Sequence, residues 1–449
     1  MTCLVYLIAV AYVVALVISA RYFAPREGYY STAVVFGISA FIYYIAIPLE
    51  TALFDEEIHA AGDFVFLSPA QQVQISLMGL LAFVAFLVGY RLSKFVPLEG
   101  EEPENGPEPA ARHAGRIPKS LLIFGAGSAA VLILVFAPEL RLTVLSYEGS
   151  YETAYQHSVF SLLCTYVVLA LALVAAVLLC RNRERPVLAL VIGTPLFFWG
   201  IFSSSKQPMF IALLGLATYF LGKRSRSPKL LLWIGGGAAM FILLSPIFSM
   251  YRGGLTLSEA WDDYYCGVSR TDARGPMFSL AREMSERDKL AFGGTYFTNV
   301  FLWIPKFIWP ERPLDLSEVF ARDNMIGWSP GQGLGYSLLA EAYVNFWWFG
   351  PLIQYLLIGL LWGKVWAMLR RILRPAGEAY WRAIYGVVGF YLLTMMHRGP
   401  TVATTKTMLQ ILVPIILLRY LFDYSSKTSL APAVVGAGGQ SAANEGGTL

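Results

Sequence analysis

Residues 3–20 read CLVYLIAVAYVVALVISA, an apolar stretch with no charged side chain. About 20 apolar residues in an α-helix, at about 1.5 Å per residue, cross a hydrocarbon core of about 30 Å. No basic segment precedes the stretch, so we interpret it as a membrane span and not as a cleavable signal peptide. Similar windows recur along the 449 residues, of which 14% are charged, against about 25% in soluble domains. The sequence therefore predicts an integral membrane protein.

The fold class predicted from these windows is all-α, a polytopic membrane helix bundle of about 11 transmembrane helices. The spans are predicted at residues 2–20, 31–49, 70–91, 119–138, 158–180, 186–202, 207–222, 230–250, 350–369, 380–396 and 403–421. Lys and Arg concentrate in alternate connections, which the positive-inside rule makes cytoplasmic. If residues 333–348 also crossed, the basic residues 370–374 would face outward. We therefore expect a re-entrant or interfacial helix there.

The chain divides into four predicted regions. Residues 1–251 hold the N-terminal transmembrane helices, with a Pro- and Glu-rich cytoplasmic linker at 92–118. Residues 252–332 form one long periplasmic loop, and its high aromatic content argues against disorder. Residues 333–423 hold the re-entrant helix and the C-terminal transmembrane helices. Residues 424–449 are predicted to be a disordered cytoplasmic tail.

A charge interrupts two apolar runs in WGIFSSSKQPMF, residues 199–210, where Lys206 stands at the start of a short predicted span. Pro208 suits the first turn of a helix, so the ammonium group would lie beside the positive end of a helix dipole. An anion such as a phosphate would satisfy both positive elements. The alternative is that Lys206 reaches the lipid headgroups from a slightly longer span.

Several arginines of the long loop are candidates for binding a diphosphate. Arg252 lies at the membrane end of the eighth span. Arg270 and Arg274 are four residues apart and would share one face if that piece is helical. The planar guanidinium group suits a diphosphate better than a point charge does. Alternatively, these arginines pair with acidic residues of the same loop, such as Asp272.

Ser337, Glu341 and Asn345 recur every fourth residue and predict one polar stripe on an otherwise apolar helix. A desolvated Glu341 would have a raised pKa and could act as a general base, or it could be the structural partner of an arginine. His397 and Arg398 lie at the outer end of the tenth span. There His397 is a second candidate base and Arg398 a candidate substrate ligand, and the alternative for both is contact with lipid headgroups.

Metal, disulfide and nucleic-acid sites are not expected. The chain has four His and no Asp-x-Asp pair in an outer loop, so neither a zinc nor a divalent-cation cluster is predicted. Of the four Cys, only Cys266 lies in a loop, and no pairing framework is visible. The net charge of +4 is scattered among short connections, which does not suit nucleic-acid binding. No cofactor is predicted.

Four motifs together resemble those of the Wzy-type O-antigen or exopolysaccharide repeat-unit polymerases. They are SSSKQP at 203–208, YRGG at 251–254, IPKFIWPERP at 304–313 and GLGYSLLAEAYVNFWWFGP at 333–351. The last resembles the Gly-x-x-x-Ser, Ala-Glu-x-Tyr-x-Asn-x-x-x-x-Gly signature of that family. Lys206 stands where the family often has Arg. The resemblance covers about residues 200–365.

The resemblance implies a metal-independent, GT-C-like glycosyltransferase in the bacterial inner membrane, with its active site facing the periplasm. Its donor would be a glycan on undecaprenyl diphosphate and its acceptor the terminal sugar of another lipid-linked repeat. Membrane lipids, a chain-length regulator and a flippase are the other candidate partners. The candidate catalytic residues are Glu341 and His397, and the candidate diphosphate or glycan ligands are Lys206, Arg252, Arg270, Arg274, Asn345 and Arg398.

Two other functions stay open from the sequence. A ligase would use the same donor but would transfer the glycan to lipid A core or to a protein. A polysaccharide flippase would need charged residues along a path through several spans, whereas the charges here collect at the outer ends of spans.

Overall fold

The computed structural model describes two parts of the chain. The first comprises residues 2–27, 31–54, 58–60, 63–65 and 67–93. The second comprises 267–271, 273–286, 289–304, 308–325, 328–330, 332–373 and 390–409, and the isolated positions 236, 258, 261, 412 and 416 are also described. The predicted spans 119–138, 158–180, 186–202 and 207–222, nearly all of 230–250, and the tail from 424 lie outside the described residues.

Four helices in the described residues are long and apolar enough to cross a membrane. They are Thr2–Phe23, Thr32–Phe54, Pro69–Ser93 and Phe349–Met368. Each coincides within a few residues with one of the predicted spans 2–20, 31–49, 70–91 and 350–369. The described part of the chain is therefore that of a helical membrane protein.

The first span lies in helix α1 (Thr2–Glu27), and the third is helix α4 (Pro69–Ser93). The second span begins with α2 (Thr32–Phe41), whose N-cap Ser31 accepts a hydrogen bond from the Val34 amide. A π-helical turn at Ile42–Ala46 then leads into α3 (Ile47–Phe54). Such turns widen a helix locally and often occur at functional sites.

The region predicted as a long loop contains short helices in its described part. A 3₁₀ turn at Val268–Arg270 is followed by α5 (Arg274–Glu286), α6 (Gly294–Phe301) and α7 (Leu316–Asn324). Between α3 and α4, strands β1 (Ile58–Ala60) and β2 (Asp63–Val65) pair antiparallel, and α5 contacts both.

Glu50 of α3 joins this region to the second span. One of its carboxylate oxygens accepts hydrogen bonds from the backbone amides of Val268 and Ser269, at 2.7 and 3.0 Å. The other accepts one from the Ser269 hydroxyl at 2.7 Å. The 3₁₀ turn is thereby attached to the end of a membrane helix.

Helix α8 (Leu338–Phe346) follows α7, and its nine residues extend about 14 Å, which falls short of a hydrocarbon core. A turn at Trp347, where φ is +50°, leads into α9 (Phe349–Leu373), which contains the fourth span. Helix α10 (Phe390–Arg398) and a helical segment at 401–409 follow. Ser337 is the N-cap of α8, and its hydroxyl accepts a hydrogen bond from the Ala340 amide at 3.0 Å.

Glycines allow α4 and α9 to pack backbone to backbone. A Cβ on Gly89 of α4 would collide with the Leu356 carbonyl, and one on Gly359 of α9 would collide with the Phe86 carbonyl. One turn further along, a Cβ on Gly363 would overlap the side chain of Ser93. Such close approach is how membrane helices gain van der Waals contact where lipid supplies no hydrophobic driving force between them.

Candidate functional site

Helix α8 contains a fully buried carboxylate. Glu341 of α8 has no exposed surface. Its Oε2 accepts hydrogen bonds from the Thr401 amide at 2.6 Å and the Thr401 hydroxyl at 2.7 Å. Its Oε1 accepts from the Asn299 amide group at 3.0 Å and the Thr295 hydroxyl at 3.2 Å. A carboxylate offers about four lone-pair sites, so these donors satisfy it.

Asn345 lies one helical turn after Glu341 and extends the network. Its Oδ1 accepts from the Gly293 amide at 2.9 Å, and Gly293 is the N-cap of α6. Its Nδ2 donates to the Thr295 hydroxyl at 2.6 Å and to the Glu341 carbonyl at 2.8 Å. Asn345 therefore positions Thr295 against the carboxylate and anchors the start of α6.

The other side of the network reaches α9. The Gln354 amide group donates to the Thr401 hydroxyl at 3.2 Å, and Gln354 accepts from the Tyr296 hydroxyl at 3.0 Å. We call the connected set the α8 network: Gly293, Thr295, Tyr296, Asn299, Glu341, Asn345, Gln354 and Thr401. It joins α6, α8, α9 and the segment 401–409 by side-chain hydrogen bonds.

The electrostatics of Glu341 combine two opposing effects. Burial raises the pKa of its carboxyl, and the hydrogen bonds from Thr401, Asn299 and Thr295 oppose that shift. The Thr401 amide belongs to the first turn of its helical segment, where the helix dipole also favours a negative charge. Within the described residues, hydroxyl and amide groups hold Glu341, and no ion pair joins it to an arginine or lysine.

A cavity of about 450 Å³ lies between α6 and α7, beside the α8 network. Thr295, Thr298 and Asn299 of α6 form a polar wall. The other lining is mainly apolar and comes from Leu302, Pro313, Leu314, Leu316 and Val319, with Arg322 as its charged member. Thr295 and Asn299 thus face both the cavity and Glu341. The volume lies within the range of about 300–1,000 Å³ of small-molecule sites.

The predicted arginine pair does not share a helical face. Arg270 ends the 3₁₀ turn, Thr271 after it is extended with φ −87° and ψ 177°, and α5 begins only at Arg274. A four-residue spacing places two side chains on one face only in a continuous helix. Arg274 itself is partly buried. Lys206 and Arg252 lie outside the described residues.

His397 lies in the interior, not among lipid headgroups. Its ring is fully buried at the end of α10 and packs against Phe36, Tyr43 and Tyr44. Its Nδ1 lies 3.1 Å from the Tyr44 hydroxyl, which lies 3.1 Å from the Tyr355 hydroxyl. The headgroup interpretation is therefore wrong for His397, because aromatic side chains enclose the ring. The next residue, Arg398, is partly exposed.

Sequence reasoning found Glu341 and Asn345 and missed their partners. Thr295 and Asn299 are four residues apart on α6, a spacing that would have marked a polar face. Thr401 has no such signal, because it meets Glu341 only through the packing of 401–409 against α8. Among the described residues, no three His, Cys, Asp or Glu side chains are grouped so that they could hold a metal ion.

Comparison with protein-family models, with curated protein sequences and with solved structures gives no match to this chain.

Proposed function

We propose that the protein polymerises undecaprenyl-diphosphate-linked oligosaccharide repeat units, as an integral membrane glycosyltransferase. The observation that carries the proposal is the position of the 333–351 motif. Its Glu341 and Asn345 are both fully buried and belong to one hydrogen-bonded network beside a cavity. Burying a carboxylate is costly unless it is fully hydrogen bonded, and such perturbed groups are concentrated at functional sites.

In the proposed reaction, the acceptor hydroxyl attacks the first carbon of the donor glycan while the bond to the diphosphate breaks. Glu341 takes the proton of that hydroxyl, as a general base with a pKa raised by burial. Basic side chains stabilise the departing diphosphate, and Lys206, Arg252 and Arg274 are proposed for that role. Neutral replacement of Lys206 should abolish polymer, whereas Lys206→Arg should retain it because the charge is kept.

The proposed topology has about 11 transmembrane helices in the bacterial inner membrane, with the site facing the periplasm. A length of about 14 Å for α8 supports a re-entrant or interfacial position for that helix. Cysteine labelling with an impermeant reagent tests the orientation. Positions near 183 and 372 should stay unlabelled in intact spheroplasts, and labelling there contradicts the topology.

The deciding test of function is polymerisation by purified protein supplied with defined undecaprenyl-diphosphate-linked repeats. We expect a ladder of products that differ by one repeat, with free undecaprenyl diphosphate released at each transfer. The glycan profile of a deletion strain gives a second readout. A single repeat on lipid A core supports a polymerase, whereas no repeat on core indicates a ligase. Absence of any glycosyl transfer by folded protein overturns the proposal.

A further inference from the structure

Glu341 is fully buried and does not line the cavity that α6 and α7 form within the described residues. Its Oε1 meets two side chains that do line that cavity, Thr295 and Asn299. A proton that travels from the cavity to Glu341 must therefore pass through one of these two groups.

Of the two, only the Thr295 hydroxyl can both accept and donate a proton. The amide nitrogen of Asn299 is a donor only, since its lone pair is delocalised. The Thr295 hydroxyl has one proton, directed at Glu341, and two lone pairs. Asn345 donates to one of these lone pairs at 2.6 Å. The second remains for a donor in the cavity.

The lining of the cavity suits a sugar. A monosaccharide presents hydroxyl groups along its edge and C–H groups on its faces. The wall formed by Thr295, Thr298 and Asn299 offers hydroxyl and amide groups to the edge. The opposite lining, with Leu314 and Val319, offers apolar contact to a face. Sites of this kind combine an apolar lining with a few fixed polar groups.

We propose that the α6–α7 cavity binds the acceptor sugar, and that Thr295 relays the proton of its attacking hydroxyl to Glu341. This inference rests on the proposed glycosyltransferase function and names the acceptor site of that reaction.

The proposed step combines two proton transfers with the exchange of one C–O bond for another. The acceptor O–H bond breaks and its proton passes to Thr295 Oγ, while the original Thr295 hydroxyl proton passes to Glu341 Oε1. The acceptor oxygen forms the new glycosidic bond, and the diphosphate leaves with the electron pair of the broken C–O bond. The protonated Glu341 can donate back to the Thr295 hydroxyl, because that group also accepts. Glu341 then releases its proton through Thr295 to solvent water before the next transfer.

The test uses the purified full-length protein, defined undecaprenyl-diphosphate-linked repeats and the variants Thr295→Val and Thr295→Ser. The Val variant keeps the shape and removes the hydroxyl. We expect kcat to fall about 10²-fold while the KM for the acceptor changes far less. The Ser variant keeps the hydroxyl and should retain activity within several-fold. Rescue by Ser would not occur if Thr295 served packing alone.

Thr51→Val is the matched control. It removes a buried threonine hydroxyl in α3 that donates to the carbonyl of Pro48 in the same helix. Its turnover should stay near that of the wild type. If the wild type polymerises and Thr295→Val has undiminished turnover, the relay is overturned and the glycosyltransferase function is not. Loss of activity in both Thr295 variants, with folded protein, also overturns it. Absence of transfer by the wild type overturns both proposals.

Occupancy of the cavity is tested separately, without turnover. In Thr298→Cys, N-ethylmaleimide labelling of position 298 is followed by mass spectrometry of the peptide, since Cys3 is also exposed. We expect the lipid-linked acceptor repeat to slow labelling at 298 several-fold and to leave labelling at Cys3 unchanged. Unchanged labelling at 298 with saturating acceptor overturns the assignment of the cavity. This test does not depend on whether Thr295→Val folds.

Discussion

Two regions of the molecule join helices by opposite means. Between α4 and α9, Gly89 and Gly359 bring the backbones into direct contact. Around α8, side-chain hydrogen bonds to Glu341 and Asn345 connect the helices. The first arrangement gains van der Waals contact at no electrostatic cost. The second keeps a carboxylate out of water, which costs free energy even when every lone pair is satisfied.

The difference separates scaffold from site. Small residues can hold two helices together without burying a charged group, as in the α4–α9 contact. A buried carboxylate with four donors has a desolvation cost that a purely structural contact does not require. We therefore expect changes in the glycine contact to affect folding and changes in the α8 network to affect chemistry first.

The largest effect is expected for Gly359→Leu. The new side chain would meet the Phe86 carbonyl and the Tyr90 amide of α4, and neither backbone can move aside without separating the helices. We expect almost complete loss of monodisperse protein in fluorescence-detected size-exclusion chromatography. Leu361→Phe is the control on the same helix, because Leu361 is 60% exposed and has room for the larger ring. Normal yield for Gly359→Leu would show that the close contact is dispensable.

Next in size is the effect of Glu341→Gln. The Gln amide can keep its oxygen towards Thr401, so the variant should fold, but the amide cannot take a proton. We expect turnover to fall about 10²-fold with lipid-linked substrate still bound. Glu341→Ala should reduce the amount of folded protein as well, because it leaves buried donors on Asn299 and Thr401 without acceptors. Near-native turnover of purified Glu341→Gln would make Glu341 a scaffold residue and leave His397 as the candidate base.

Asn345→Leu tests how much the α8 network contributes to the stability of the fold. The substitution keeps similar volume and leaves the Gly293 amide without an acceptor and Thr295 without its positioning donor. We expect a loss of about 1–3 kcal/mol in the free energy of unfolding, measured by thermal or denaturant unfolding in detergent. Asn324→Leu is the matched control, because Asn324 is partly exposed and donates to the Phe320 carbonyl of its own helix. Equal effects of the two changes would contradict a special role for Asn345.

Ser337→Ala has a smaller expected effect. It removes the N-cap of α8, whose hydroxyl accepts from the Ala340 amide. N-cap losses cost about 0.5–2 kcal/mol, so we expect a modest drop in the unfolding temperature with turnover largely kept. Ser337→Thr should restore most of that stability. A drop in turnover without a drop in stability would instead connect Ser337 to the chemistry.

The smallest effect concerns pH. Because burial raises the pKa of Glu341, the folded protein binds this proton more tightly than the unfolded chain does. Stability should therefore fall as pH rises from the ordinary Glu value of about 4.3 to the raised pKa, and this component should then level off. Burial also raises the pKa of Tyr296, which stays neutral in that range. Unfolding temperatures of the wild type relative to Glu341→Gln measure the slope, and a slope of opposite sign contradicts the shift.

Five residues show how much of the site and its scaffold the sequence predicts. Glu341 and Asn345 were found because one helical turn separates them, and that spacing is local. The glycine contact was not predicted, although Gly359 and Gly363 have the small-x-x-x-small spacing of close membrane helix pairs. Thr401 lies 60 residues from Glu341 in the chain, and no local pattern reports such a contact.

Hydropathy alone determined that this is a helical membrane protein and located its four described spans, because a membrane of fixed thickness demands a minimum run of apolar residues. The four-residue spacing of Glu341 and Asn345 determined that these two side chains share a face. Only the tertiary structure decided that Glu341 meets hydroxyls and amides of other elements, that Arg270 and Arg274 are not on one helix, and that His397 is enclosed by aromatic rings. These outcomes depend on which distant segments pack together, whereas sequence periodicity reports only the order within one segment.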